Sequence, residues 1–150
     1  MADKTVVDDF VAQKTLAIVG VSRSGRKFGN MIYKELRQNG YKLYPIHPQA
    51  ETLEGDKAYK DFAALPEKVG GVIIVVLPAR TEAVVRAAGA AGIQRVWMQQ
   101  GAEDPEAIRF CEEHGIAAVH GHCVLMFLEK PGFPHAAHRF VKRITGSLPV

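Results

Sequence analysis

A glycine-containing segment with basic residues beside it is the part of the sequence best suited to bind an anion. Residues 20–25, Gly-Val-Ser-Arg-Ser-Gly, follow a short apolar run and are called here the glycine loop. A tight turn that opens a helix leaves backbone N–H groups unpaired at the positive end of the helix, where phosphates bind. Arg23, Arg26 and Lys27 add positive charge beside these amides. The sequence therefore predicts a phosphate site, with a plain strand–helix connection as the alternative.

Several enzyme motifs come close to this segment and fail. The dinucleotide fingerprint G-x-G-x-x-G has Ser22 at its middle glycine, and no carboxylate follows the second predicted strand to hold a ribose. The NTPase loop G-x-x-x-x-G-K-[ST] has Arg26 and Lys27 after its second glycine, so the Mg²⁺-binding hydroxyl is missing. The nucleophile elbow G-x-S-x-G has Ser24 at its last glycine. These departures disfavour NAD, P-loop and serine-hydrolase chemistry.

His120, His122 and Cys123 form the one dense cluster of soft metal ligands in the sequence. Structural zinc sites combine two such ligand pairs, and no second pair is present, so no metal is predicted. Cys123 has two interpretations: a ligand-facing thiol whose pKa a neighbouring histidine lowers, or a small packed residue. Cys111 and Trp97 fall inside a predicted helix and strand, and both are interpreted as packing residues.

Alternating strand and helix patterns supply the elements that must position these residues. Five apolar, strand-like runs cover residues 15–20, 41–46, 72–77, 95–99 and 116–119. Helical spacing follows over residues 28–36, 81–91 and 105–114, and a further helix is allowed between the second and third strands. Near-continuous apolar strands are buried on both faces. The sequence predicts an α/β fold with a single Rossmann-like, doubly wound, mostly parallel five-stranded sheet and helices on both faces.

Ligands of such folds bind outside the carboxyl ends of the strands, so function is expected in the segments that follow them. These segments are residues 20–30, 47–50, 77–80, 99–104 and 120–125.

Length, composition and charge bound the class of protein. The chain has 150 residues, enough for one domain, and its 47% hydrophobic content excludes a largely disordered state. A net charge of +3 suits a phosphorylated small ligand but is too weak to indicate a nucleic-acid surface. Two cysteines give no disulfide framework, and neither a membrane-spanning run nor a secretory signal is recognised. We therefore expect a cytoplasmic protein.

Residues 129–150 are predicted to form a C-terminal tail packed on the domain of residues 1–128. A Lys-Pro-Gly-Phe-Pro segment precedes a short amphipathic helix over residues 135–145, with one apolar and one basic face. We interpret the basic face as solvated. The alternative is a contact with a partner, a membrane or a phosphate.

The ordered set of motifs resembles the small stand-alone CoA-binding domain proteins, a family related to the CoA-binding domain of succinyl-CoA synthetase. Across residues 12–128 the motifs are A-I-V-G-V-S (17–22), Asn30, G-Y-K-L-Y-P-I-H-P (40–48), Gly55, Leu77-Pro78, V-W-M-Q-Q-G-A-E-D (96–104) and Cys123. The resemblance implies a Rossmann-type domain that binds coenzyme A or an acyl-CoA.

The resemblance also implies a layout for the ligand. It places the pyrophosphate on the glycine loop and the adenosine near the His47-Pro48 and Leu77-Pro78 pairs. Pantetheine is then expected near Gln99, Gly101 and Cys123, and the basic residues near the glycine loop are candidates for the 3′-phosphate. The candidate cofactor-binding residues are Gly20, Val21, Ser22, Arg23, Gly25, Arg26, Lys27, Asn30, His47, Pro48, Leu77, Pro78, Gln99, Gly101 and Cys123.

We predict a CoA-binding module without catalytic residues, acting as a carrier, sensor or regulatory partner. A thiol variant of this prediction has Cys123 forming a mixed disulfide with CoA. Two alternatives stay open: an NADP-dependent reductase that uses the basic loop for a 2′-phosphate, and an interaction protein with a vestigial nucleotide site. A homodimer or a protein partner is also left open, whereas nucleic-acid and membrane partners are not predicted.

Overall fold

Five parallel strands form the central sheet of the protein, whose computed structural model describes residues 4–128. The strands are β1 (Thr15–Val19), β2 (Lys42–Ile46), β5 (Gly71–Ile74), β6 (Arg95–Gln99) and β7 (Ala117–His122), in the spatial order β2-β1-β5-β6-β7. A separate antiparallel hairpin consists of β3 (Thr52–Leu53) and β4 (Asp56–Lys57). The predicted Rossmann-like α/β architecture is confirmed, and every pair of neighbouring strands in the central sheet is parallel.

Helices cover both faces of this sheet. They are α1 (Lys4–Val11), α2 (Phe28–Gln38), α3 (Pro78–Ala90) and α4 (Pro105–Glu113). Phe10 of α1 and Tyr33 of α2 share one core with Trp97, whereas Val85 of α3 and Cys111 of α4 belong to a second core on the other face. No helix within residues 4–128 is long and apolar enough to cross a membrane.

Local sequence signals explain where the helices on the second face begin. Asp104 caps α4, because its carboxylate accepts a hydrogen bond from the Ala107 N–H at 3.0 Å, and Pro105 occupies the first helical position. Pro78 has the same position in α3, with Leu77 as the capping residue. The helix therefore starts immediately beside the carboxyl end of β5.

Some details of the sequence prediction are wrong. The further helix allowed between the second and third strands is replaced by the β3–β4 hairpin and one 3₁₀ turn (Phe62–Ala64). Helix α1 was not predicted. The third predicted strand ends at Ile74 instead of residue 77, because the chain turns there into α3. The fifth continues to His122 and is followed by a 3₁₀ turn (Val124–Phe127). The predicted tail of residues 129–150 lies outside the described residues.

The strand order creates a crevice between β1 and β5. The chain leaves β1 toward β2 on one side and later returns to β5 on the other side of β1. The loops that follow β1 and β5 therefore diverge at the carboxyl edge of the sheet. In doubly wound folds this reversal of strand order is where ligands bind.

Candidate functional site

A cleft of about 730 Å³ lies at the carboxyl ends of β1, β2, β5 and β6. Its size falls within the range of small-molecule sites, roughly 300–1,000 Å³. The cleft contains ten of the predicted site residues: Gly20, Val21, Ser22, Arg23, Lys27, His47, Pro48, Leu77, Gln99 and Gly101. Four separate segments of the sequence thus meet where the strand order predicts a ligand.

The other predicted residues do not line this cleft, and several lining residues were not predicted. Outside it are Gly25, Arg26, Asn30, Pro78 and Cys123. Unpredicted lining residues include Phe28, Gly29, Gln49, Arg80, Gln100 and Ala102. Gly29 could have been predicted, because a glycine in the first turn of a helix often marks a close approach of backbone or ligand. Arg80 lay inside a segment expected to hold functional residues, but its basic side chain was not singled out.

Two glycines allow the loop after β1 to pack against its neighbours. Gly20 has a φ of +122°, and a Cβ added there would lie 2.1 Å from the Val75 carbonyl oxygen. A Cβ on Gly29 would lie 2.2 Å from the Gly20 carbonyl oxygen. A side chain at either position would clash with backbone atoms. Glycine at both positions therefore allows the backbones of β1, of the segment after β5 and of the start of α2 to approach one another closely. The first turn of α2, with Phe28 and Gly29, therefore opens into the cleft.

Asn30 fixes the glycine loop to the start of α2 through hydrogen bonds. Its side chain is 1% exposed, and its Oδ1 accepts hydrogen bonds from the Ser22 N–H at 3.0 Å and the Lys27 N–H at 3.3 Å. Its Nδ2 donates to the Ser22 carbonyl oxygen at 2.9 Å and to Glu54 Oε2 at 2.7 Å. Ser22 in the glycine loop and Lys27 at the start of α2 are thus attached to one buried amide, which makes Asn30 a positioning residue.

The β3–β4 hairpin supports α2 with two carboxylates. Glu54, at the hairpin tip with a φ of +52°, binds Asn30 and lies 3.7 Å from Lys34 Nζ. Asp56 accepts hydrogen bonds from Tyr33 Oη and, at 2.9 Å, from Arg37. The hydrogen bond from Tyr33 holds the pKa of Asp56 below its ordinary value. The hairpin therefore contacts α2, the helix whose first turn lines the cleft.

The charged side chains that line the cleft are all basic. Arg23 and Lys27 come from the β1–α2 connection, and Arg80 comes from the first turn of α3. No aspartate or glutamate is found among the described residues that line it. Leu77, which is 73% exposed, adds an apolar surface at the rim. The cleft combines positive charge with an exposed apolar patch, a chemistry that suits a ligand with both phosphate and apolar groups.

His47 is held as a neutral ring. Its Nδ1 accepts hydrogen bonds from the Gln49 and Ala50 N–H groups, both at 3.0 Å. Burial, followed by the positive charges of Arg23 and Arg80, lowers the pKa of His47 from its ordinary value. Because Nδ1 is occupied as an acceptor, the neutral ring carries its proton on Nε2.

The far end of the cleft is fixed by hydrogen bonds between neighbouring loops. Gln99 is 1% exposed, and its Oε1 accepts a hydrogen bond from the Val124 N–H at 3.1 Å. Its Nε2 has no hydrogen-bond partner among residues 4–128. Thr81 Oγ1 donates to the Ala102 carbonyl oxygen at 2.6 Å, joining α3 to the loop after β6. The residues at the end of β6 and in the loop after it are therefore held in fixed positions where they line the cleft.

Both cysteines lie in the core. Cys123 is 1% exposed and packs with Val124 and Leu125. Burial raises the pKa of Cys123 although the backbone amide of Leu125 favours its thiolate. Burial also raises the pKa of Cys111 to about 11. The environment of Cys123 agrees with the packed-residue interpretation. No group of three metal-ligating side chains occurs within the part of the chain that the structure describes.

The fold and the position of the cleft define a Rossmann-like protein of the doubly wound class. The chain belongs to the CoA binding domain family, whose profile matches residues 14–129. This match confirms the resemblance seen in the sequence.

Relatives of known sequence or structure agree with this assignment. The chain is 26% identical over 130 residues to the alpha subunit of an ADP-forming acetate–CoA ligase II from Pyrococcus furiosus, covering 79% of this chain and 28% of that subunit. It thus spans less than a third of that relative. A conserved hypothetical protein from Pyrococcus furiosus has a TM-score of 0.71 and 35% identity, with coverage of 75% and 97%. A hypothetical protein from Pyrococcus horikoshii has a TM-score of 0.77 and 29% identity, with coverage of 83% and 88%.

Proposed function

We propose that the cleft binds coenzyme A or an acyl-CoA, and that the protein is a binding module rather than an enzyme. The observation that carries this proposal is the set of three basic side chains, without a carboxylate, around a cleft at the topological switch point. Membership of the CoA binding domain family supports the same ligand, as does the similarity to a subunit of an acetate–CoA ligase. CoA carries three phosphates and a long pantetheine arm, which match the positive charge and the apolar rim.

The ligand would lie across the carboxyl edge of the sheet. The pyrophosphate would contact the glycine loop and the first turn of α2, where helix N–H groups and Lys27 face the cleft. The adenosine would lie between His47-Pro48 and Leu77, and pantetheine would extend toward Gln99 and Gly101. This direction follows the cleft from β2 to β6.

The side chains in the cleft favour binding over catalysis. No carboxylate or thiol is present among its described lining residues, and His47 uses Nδ1 to accept two backbone hydrogen bonds. A general base needs a free nitrogen or oxygen within reach of the substrate proton. We therefore propose a carrier, sensor or regulatory role, in which occupancy of the cleft is the signal or the cargo.

Calorimetric titration of the whole protein with CoA, acetyl-CoA, NADP and NAD tests the ligand. We expect CoA or acetyl-CoA to bind at least tenfold more tightly than either nicotinamide nucleotide, a difference of about 1.4 kcal/mol. Lys27→Gln should weaken CoA binding about fivefold or more, since it removes a cation from the cleft. Arg26→Gln is the matched control, because Arg26 directly precedes Lys27 in the sequence but lies outside the cleft. Tighter binding of NADP than of CoA would instead support the reductase alternative.

A further inference from the structure

The arginines of the described residues fall into two groups. Arg37, Arg86, Arg95 and Arg109 each pair with a carboxylate at 2.7 to 3.3 Å. Arg23, Arg26 and Arg80 have no carboxylate within salt-bridge distance among residues 4–128. All three of these unpaired arginines lie at the carboxyl edge of the sheet, and two of them line the cleft.

Arg23 and Arg80 come from different loops, and both line the cleft together with the segment that follows β2. The Arg23 guanidinium extends from the glycine loop and lies 3.4 Å from Gln49 Oε1. Arg80 stands in the first turn of α3, where its N–H bonds the Leu77 carbonyl oxygen at 2.9 Å. Both positive charges act on the ring of His47. Two arginines therefore share the cleft with His47 at the end of β2.

The chemistry at this position differs from that of NAD-binding proteins. Those proteins carry an acidic residue near the end of the second strand, which binds the ribose hydroxyls of the nucleotide. Here the strand ends in Ile46, His47 and Pro48, so no negative charge repels a phosphate on the ribose. A phosphomonoester carries a charge of about −1.5 to −2 near neutral pH, and a guanidinium binds its oxygens through two parallel N–H groups. Two unpaired arginines match that charge.

We propose that the side chains of Arg23 and Arg80 form a two-arginine site for the phosphomonoester on the ribose of CoA, distinct from the pyrophosphate contacts made by Lys27 and by the backbone N–H groups of the glycine loop. This inference rests on the proposed function and adds the residues that select the phosphorylated ribose. It also divides the basic residues near the cleft by role. Arg80 becomes a specificity residue, and Arg26, outside the cleft, does not contribute.

The test compares CoA with 3′-dephospho-CoA in the unaltered protein and in Arg23→Gln, Arg80→Gln and Arg26→Gln variants. The unaltered protein should bind CoA at least tenfold more tightly than dephospho-CoA. Arg80→Gln and Arg23→Gln should each weaken CoA binding fivefold or more and leave the affinity for dephospho-CoA within twofold. Arg26→Gln should change neither affinity by more than twofold. The side chains of Arg23 and Arg80 are exposed, so unchanged unfolding midpoints will verify that the variants fold.

The outcomes separate this inference from the proposed function. Equal affinities for CoA and dephospho-CoA in the unaltered protein would overturn the two-arginine site and leave CoA binding intact. An equal loss of both ligands in Arg80→Gln would also overturn it, because the arginine would then act on a shared part of the ligand. NADP and NAD form a second pair of probes. Tighter binding of NADP than of either CoA form would overturn both the CoA ligand and its phosphate site.

Discussion

Asn30 Nδ2 lies 2.7 Å from Glu54 Oε2, and this hydrogen bond connects the first turn of α2 to the tip of the β3–β4 hairpin, 24 residues further along the chain. The same side chain of Asn30 also accepts hydrogen bonds from the Ser22 and Lys27 N–H groups. The loop conformation therefore depends on a contact between two side chains that do not themselves line the cleft. The first prediction concerns this contact.

Replacing Asn30 with alanine should weaken both the fold and ligand binding. The Ser22 and Lys27 N–H groups would lose their shared acceptor, and an unsatisfied buried polar group costs about 1–3 kcal/mol of unfolding free energy. We expect CoA affinity to fall about tenfold or more because the loop loses its anchored shape. Calorimetry and urea unfolding measure the two effects. Asn39→Ala is the control, since Asn39 is also buried but caps the other end of α2. A comparable loss of affinity in that variant would contradict a specific role for Asn30.

Gly29→Ala should destabilise the protein even though alanine favours helices. In an unconstrained helix this change gains roughly 0.5–1 kcal/mol. Here the new Cβ would meet the Gly20 carbonyl oxygen at 2.2 Å, so we expect a net loss of about 1–3 kcal/mol. Gly89→Ala in α3 is the comparison, because its nearest atoms are side-chain atoms at 3.2 Å or more. Denaturant unfolding of both variants gives the answer, and a more stable Gly29→Ala protein would show that the contact is not tight.

The pKa of His47 gives a prediction about acid stability. The ordinary pKa of 6.5 applies in the unfolded chain, and burial with two nearby arginines lowers it in the folded protein. Between the two values the unfolded state binds more protons, so the free energy of unfolding falls as the pH drops below 6.5. His47→Asn keeps an acceptor for the turn but cannot titrate, and should make this fall shallower. NMR titration of the ring measures the pKa directly. A folded-state value of 6.5 or higher would be inconsistent with the described surroundings of the ring.

Cys123 and Cys111 should react slowly in the folded protein. Burial raises the pKa of both thiols and limits access, so an aromatic disulfide reagent at about pH 7.5 should label neither until denaturant is added. Separate Cys111→Ser and Cys123→Ser variants assign any signal. Intact mass after incubation with CoA disulfide should likewise show no adduct. Rapid labelling that disappears in Cys123→Ser would restore the reactive-thiol interpretation.

Local signals in the sequence were sufficient for most of the sheet and for part of the site. The β-branched residues of β5 lie in a strand, and Gly25 lies between β1 and α2, as the alternation of strand and helix patterns in the sequence predicts. Helix α1 was not predicted from the sequence, because its eight residues are stabilised by a contact distant in the sequence. The ring of Phe10 packs edge to face on the ring of Trp97, with 5.3 Å between the ring centroids. Short helices of this kind depend on tertiary packing more than on propensity.

The unpredicted parts of the cleft have a similar cause. The sequence predicts Pro78 as the stop of a strand, but Pro78 also starts α3. This earlier start places Arg80 in the first turn of the helix, beside the cleft. Cys123 follows β7 as expected, yet the 3₁₀ turn after it buries the side chain. Neither result can be derived from spacing, because each depends on how one segment covers another.

The assembly of the cleft from the loops after β1, β2, β5 and β6 makes ligand occupancy and global folding a single linked equilibrium. These loops begin near residues 20, 47, 75 and 100 and approach one another only in the native state. An unfolded chain therefore offers no partial site, and a ligand at one hundred times its dissociation constant adds about 2.7 kcal/mol to stability. Thermal-shift screening of metabolite collections can exploit this linkage, since any compound that fills the cleft raises the melting temperature, and the added stability grows with the logarithm of its concentration divided by its dissociation constant.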